Sequence, residues 1–146
     1  IKIENGAKVE GGLLNEGSGS ITGGITVSGE NTEFKGNIVN TGESSIGSDI
    51  KIEGGAKIEG GLVNQGNGSI TGSVQVSGGS SIDSITNTGN GAISGSVQVS
   101  GGSSIDSISN EGSGSISGSI TVDKDSKLDS ITNTSTSSTG ISGSIT

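Results

Sequence analysis

One short pattern returns along the chain at nearly constant spacing, and any fold must honour that return. Asparagine is followed two residues on by glycine, six on by isoleucine, and ten on by isoleucine or valine. The copies start at Asn15, Asn40, Asn64, Asn87 and Asn110. Counted from the first apolar residue of each unit, repeats open at Ile1, Ile25, Ile50, Val74, Val97 and Ile120, with a further opening at Ile145. The steps are 24, 25, 24, 23, 23 and 25 residues. Periods of this size belong to solenoids and related repeat architectures.

Aligning the units yields five apolar columns, represented in the second unit by Ile25, Val27, Phe34, Ile38 and Ile46. Across six units every member of every column is apolar. Ile21 to Val27 alternates apolar and other residues with period two, which predicts extended backbone. Thirty glycines and the abundance of β-branched residues exclude helix. Each unit is therefore expected to hold four short strand pieces: IKI, ITV or VQV; then SSID; then SIT; then a run such as SISGS. The glycine of that last run (Gly23, Gly72, Gly95, Gly118, Gly143) marks a corner too tight for a side chain.

Five apolar side chains per unit are too few to offset the entropy of ordering 23 to 25 residues. Stacked units succeed where one fails, because each covers its neighbour's core and completes its backbone hydrogen bonds. The predicted fold is all-β: a single-stranded parallel β-helix, or β-solenoid, of about six coils. At roughly 4.8 Å per coil the rod is about 29 Å long. It forms one unit over residues 1–146, and its coil length favours the right-handed form. The chain opens at Ile1 in mid-pattern and stops two residues into a further repeat, so it reads as a segment of a longer protein.

Composition narrows the function. Cys and His are absent, as are Arg, Pro, Met, Trp and Tyr, and Phe34 is the sole aromatic. Serine–histidine and cysteine–histidine catalysis and zinc sites lack their residues, so no catalysis and no cofactor are expected. A net charge of −8 argues against nucleic acid as partner. No apolar run approaches bilayer length, so this stretch is not expected to insert into a membrane. Phe34 reads as core, because its column is otherwise aliphatic.

Among polar positions the clearest signal is the column Asn15, Asn40, Asn64, Asn87, Asn110, Asn133. Asparagine suits the left-handed residues of a bend, and stacked copies can bond amide to amide, so a structural ladder is expected. A second column reads Glu10, Lys35, Glu59, Asp83, Asp106, Asp129. The last three are weak candidates for Ca²⁺, which takes oxygen ligands. However, GGSSID replaces the calcium-binding nonapeptide and Lys35 interrupts the row, so solvated charge is expected. Thr22, Thr71, Ser94, Ser117 and Ser142 form an outward hydroxyl-rich face. Two places depart from regularity: Gly29–Glu33, with Glu30 and Glu33, and Thr134–Thr139, with Thr134 and Ser137. These are the candidate contact loops, since binding in repeat proteins usually sits on insertions. Units Gly72–Ser94 and Gly95–Ser117 share 19 of 23 residues, which indicates duplication.

Repeats such as IVNTGESSIG, ITNTGNGAISG and ITNTSTSSTGISG resemble the passenger regions of bacterial autotransporters and related secreted adhesins. The resemblance implies a right-handed parallel β-helix on the bacterial surface or outside the cell, acting as a non-catalytic stalk or adhesin. Its partners would be a host or neighbouring cell surface reached through the parent protein, or further copies joined end to end. Two alternatives remain: an ice-binding solenoid using the Ser/Thr face, and a polysaccharide-active β-helix. The missing arginine, histidine and aromatic subsites speak against the second.

Overall fold

In a computed structural model describing residues 1–146, the chain folds entirely into strands and turns, without helix. Successive units lie one above another as a β-solenoid, and all strand pairing is parallel. The first sheet stacks six strands: Lys2–Glu4, Ile25–Ser28, Ile50–Glu53, Val74–Val76, Val97–Val99 and Ile120–Val122. The second runs from Lys8–Glu10 and Leu13–Asn15 at one end to Lys127–Asn133 at the other. The third has five two-residue strands, from Ser20–Ile21 to Ser115–Ile116, and Ile141 continues it as a bridge to Ile116.

The five predicted columns stack as expected. Ile58, Ile82, Ile105 and Leu128 are successive partners, as are Leu62, Ile85, Ile108 and Ile131. Together with Ala56, the inner members form one core of 22 buried residues. The outermost ones (Ile3, Val9, Leu13 and Ile21 at one end, Val122, Leu128, Ile131 and Ile141 at the other) are half-buried against it.

Strand boundaries differ from expectation in two places. The pieces SSID and SIT are one strand, as in Ser81–Asn87 and Ser104–Asn110. Units one to three carry three residues between the third and fourth columns where units four to six carry two. The extra residue is accommodated by glycines with positive φ, Gly11 at 117°, Gly36 at 113° and Gly60 at 142°, and by a register shift between Ile58 and Gly61. The second difference concerns Ile21–Val27, which is not continuously extended. The strand stops at Ile21, turns through Thr22–Gly24 and resumes at Ile25.

That turn is the glycine corner. A Cβ on Gly72, Gly95, Gly118 or Gly143 would fall on the backbone of the coil before it. Gly23, in the first coil, faces open space, and Ser48 takes the same place in the second coil.

Candidate functional site

The asparagine column is the most completely bonded polar feature of the rod. Each asparagine ends a strand of the second sheet, which aims its side chain inward where the chain turns. Nδ2 of Asn15 donates to Oδ1 of Asn40 at 2.7 Å, and Asn40 to Asn64, Asn64 to Asn87 and Asn87 to Asn110 all at 2.8 Å. Asn110 donates to Asn133 at 3.0 Å. In Asn40, Asn64 and Asn87 the second N–H is shared with carbonyls of its own turn and of the next coil, such as Gly91 and Ser115 for Asn87, while Asn110 bonds the Gly114 carbonyl of its own turn. Asn40, Asn64, Asn87 and Asn110 are fully buried, Asn15 is nearly so, and Asn133 is exposed. Every step runs the same way, so the ladder has a direction.

A second inward polar column was not anticipated: Ala7, Thr32, Ala56, Ser80, Ser103, Ser126, stacked by the register of the neighbouring strand residues. Thr32 Oγ1 accepts from the Gly6 amide at 3.0 Å and donates to the Ser28 carbonyl at 2.8 Å. Ser80 Oγ accepts from the Gly55 amide, Ser103 Oγ from Ser80, and Ser126 Oγ from Ser103. These hydroxyls satisfy amides at the turn where Gly54–Gly55 and Gly78–Gly79 take positive φ. A small residue two places before the third apolar column was the available signal.

Outside, the second sheet carries charge. Lys8, Glu33 and Lys57 stack in one column, and Glu10, Lys35 and Glu59 stack beside them. Signs alternate along the axis and across it, with pairs at 3.2 Å for Lys8–Glu33, 3.8 Å for Lys35–Glu59 and 3.2 Å for Lys57–Glu59. Lys35 is thus part of a checkerboard. Further along, Asp83, Asp106 and Asp129 stand exposed in consecutive coils, with Asp129 paired to Lys127 at 2.8 Å. No three acidic side chains converge as a metal site requires.

The two candidate loops are closely held. Glu33 lies on the strand Glu33–Lys35 and pairs with Lys8, which leaves Glu30 and Asn31 as the outward residues of that turn. In the other loop, Thr136 binds the Gly112 carbonyl through both its amide and its hydroxyl, and Ser135 Oγ binds the Gly114 carbonyl. Ser137 Oγ meets Thr139 Oγ1 at 2.9 Å, while Thr134 and Ser138 face solvent.

Two further irregularities escaped the sequence reading. Gly23, Gly24, Gly47 and Gly72 line an open notch of about 400 Å³ with Asp49 and Lys51 at its edge. At position 47 glycine replaces the outward hydroxyl of other coils, and a side chain there would stand nearly in the open. Leu14, Val39 and Val63 also form an outward aliphatic column, continued by Thr86, Ser109 and Thr132. On the first sheet the outward column reads Lys2, Thr26, Lys51, Gln75, Gln98, Thr121, which is no uniform threonine array.

No family model, curated protein or solved structure matches the chain.

Three ionisable groups are shifted, all at the surface. The Lys57 ammonium, and then the charge of Lys35, hold the Glu59 carboxyl below its usual range. The Ser126 hydroxyl and the Gly101 amide do the same for Asp123. Asp129 raises Lys127. A depressed carboxyl pKa contributes stability above its unfolded value and loses it as pH falls through the folded one. Urea midpoints should therefore decline below about pH 4, and less steeply in a Glu59→Gln/Asp123→Asn variant. An unchanged slope in that variant would contradict the pairing.

Proposed function

We propose that residues 1–146 act as a rigid, non-catalytic rod at the bacterial surface or in a secreted protein, serving as stalk or adhesin. One observation carries this reading: no buried side-chain nitrogen or oxygen lacks a hydrogen-bond partner. The buried amides and hydroxyls bond chiefly from coil to coil, so the interior polar chemistry is committed to stacking. Sites for specific ligands are concave, with a few converging polar groups. A repeated cross-section offers instead the same shallow surface at every level. The resemblance of the repeats to autotransporter passengers supports the bacterial, extracellular setting, with a host or neighbouring cell surface as partner. No cofactor, nucleic acid or membrane insertion enters the proposed role, and the chain has no helix long and apolar enough to cross a bilayer.

The regular coils are spacer, and contacts fall to Glu30 and to Thr134 and Ser137. Deleting Gly72–Ser94, one whole unit, should leave a folded rod shorter by one coil, about 4.8 Å. Beads coated with that variant should adhere to epithelial or bacterial cells as the parent chain does. Trimming Thr134–Thr139 together with Glu30→Ser should remove the adhesion. Adhesion that survives the trimming but vanishes with Gly72–Ser94 would overturn the assignment, and so would its loss on changing Gln75 and Gln98 alone.

A further inference from the structure

Coil two, Ile25–Asp49, lies between two near-copies of one sequence. Coil one, Ile1–Gly24, and coil three, Ile50–Ser73, share 18 of 24 residues. Their inward columns are interchangeable: Val9 answers to Ile58, Leu13 to Leu62 and Asn15 to Asn64, and each uses a positive-φ glycine, Gly11 or Gly60, after the third column. Nothing in the core therefore stops coil three from stacking directly on coil one with coil two looped out. Closing a loop of twice the length costs a folding chain little extra.

The outward charges do distinguish the two arrangements. In the native order Lys8 and Lys57 flank Glu33, while Glu10 and Glu59 flank Lys35, so all four axial steps join opposite signs. On the first sheet Thr26 stands between Lys2 and Lys51, and Ser28 between Glu4 and Glu53. Skipping coil two would set Lys2 on Lys51, Glu4 on Glu53, Lys8 on Lys57 and Glu10 on Glu59. Every one of those pairs is like on like. Coils four to six lack this pattern. Ser81–Asn87 and Ser104–Asn110 differ only at Thr86 and Ser109, and Val74–Val76 repeats as Val97–Val99. Lys127–Asn133, which pairs with Ser104–Asn110, would meet nearly the same residues on Ser81–Asn87. Asp83, Asp106 and Asp129 share one sign, so skipping coil five removes a repulsive step instead of adding any.

We infer that the alternating charges of coils one to three are a register device, which keeps coil two in line by making its omission repulsive. Coils four to six have no such guard, and while folding they sample a register in which coil six stacks on coil four. Exposed ion pairs are individually weak, and like charges directly opposite cost a similar amount. Summed over four contacts, they are worth about a tenfold difference in how often the skipped register forms.

The outward column Leu14, Val39, Val63, Thr86, Ser109, Thr132 supplies the reporters. Leu14 and Val63 are two coils apart, as are Thr86 and Thr132. At about 9.6 Å neither pair of cysteines can bridge in the native stack, whereas a skipped coil brings the pair to about 4.8 Å. Sequence separations are 49 and 46 residues, so chance closure in the unfolded chain is nearly equal. Leu14→Cys/Val63→Cys and Thr86→Cys/Thr132→Cys chains are refolded from guanidinium into low-salt glutathione buffer and quenched early with acid. Mass spectrometry then counts the disulfides. The Thr86/Thr132 pair should close about ten times as often. Adding Glu33→Lys/Lys35→Glu keeps the net charge but removes the axial alternation, and should raise closure of the Leu14/Val63 pair about tenfold. Inverting all six signs (Lys8→Glu, Glu10→Lys, Glu33→Lys, Lys35→Glu, Lys57→Glu, Glu59→Lys) restores the alternation and should return closure to the level of the unaltered charges. Salt at 1 M, where screening acts over about 3 Å, should raise Leu14/Val63 closure with the native charges in place and leave Thr86/Thr132 no higher. That arm decides the matter even where a charge variant fails to fold. Four results would each overturn the inference: equal closure of the two pairs at low salt, no response to the sign swap, an inverted set that behaves as the swapped one, or no response to salt.

Discussion

Replacing Asn87 with leucine is expected to lower the unfolding free energy by about 3–5 kcal/mol, because several partners are orphaned at once. Asn87 is fully buried in the middle of the ladder. Its Oδ1 accepts from Asn64 at 2.8 Å, and its Nδ2 serves Asn110 at 2.8 Å and the carbonyls of Gly91 and Ser115 at 2.9 and 3.1 Å. Leucine fills comparable space but leaves the Asn64 donor and the Asn110 acceptor unpaired where water cannot reach. Low local dielectric makes such losses costly. Gln98→Leu is the matched control. Gln98 is exposed, points outward between Gln75 and Thr121, and should change stability by no more than about 0.5 kcal/mol. Chemical denaturation compares the two, and equal effects would mean that the ladder holds nothing together.

Gly95→Ala should be nearly as severe, at about 3 kcal/mol, for a different reason. The new methyl would lie on the carbonyl of Gly72 and the amide of Ser73, and backbone cannot swing aside as a side chain can. Coils three and four would have to part at this corner, straining the ladder hydrogen bonds on either side of it. Gly23→Ala, at the same place in the first coil, meets nothing within 4 Å and should be close to neutral. Denaturation midpoints that fall equally for both would show that the cost is conformational and not steric.

This contrast also marks what the sequence could and could not reveal. The apolar columns were legible because a buried position accepts only Ile, Val, Leu or Phe, and six repetitions make the constraint visible. The asparagine ladder was legible for the same reason. Column Ala7, Thr32, Ala56, Ser80, Ser103, Ser126 was hidden, since at that turn the requirement is small size and a hydroxyl is optional. Glu33 was misplaced in a loop because unit two carries one extra residue, and the sequence does not say which residue bulges. Thr32 settles it: its side chain binds the Ser28 carbonyl and the Gly6 amide, which closes the turn before Glu33 and starts the strand there. Lys35 looked like an interruption of an acidic row. Only the alternation of two neighbouring columns, brought side by side by the parallel register, shows it as one square of a charge checkerboard.

Coil-on-coil register is the central claim, and a cysteine-free chain permits a clean test of it. Ser81 and Ser104 are partners on adjacent coils of the second sheet. Parallel neighbours lie about 4.8 Å apart, within reach of a disulfide, whereas a two-residue offset along the strand takes the Cα atoms beyond about 7 Å. A Ser81→Cys/Ser104→Cys chain should close an intramolecular disulfide readily in a glutathione redox buffer. A Ser81→Cys/Asp106→Cys chain should remain reduced under the same conditions. The account predicts that order of closure, and equal or faster closure of the Ser81/Asp106 pair would contradict it.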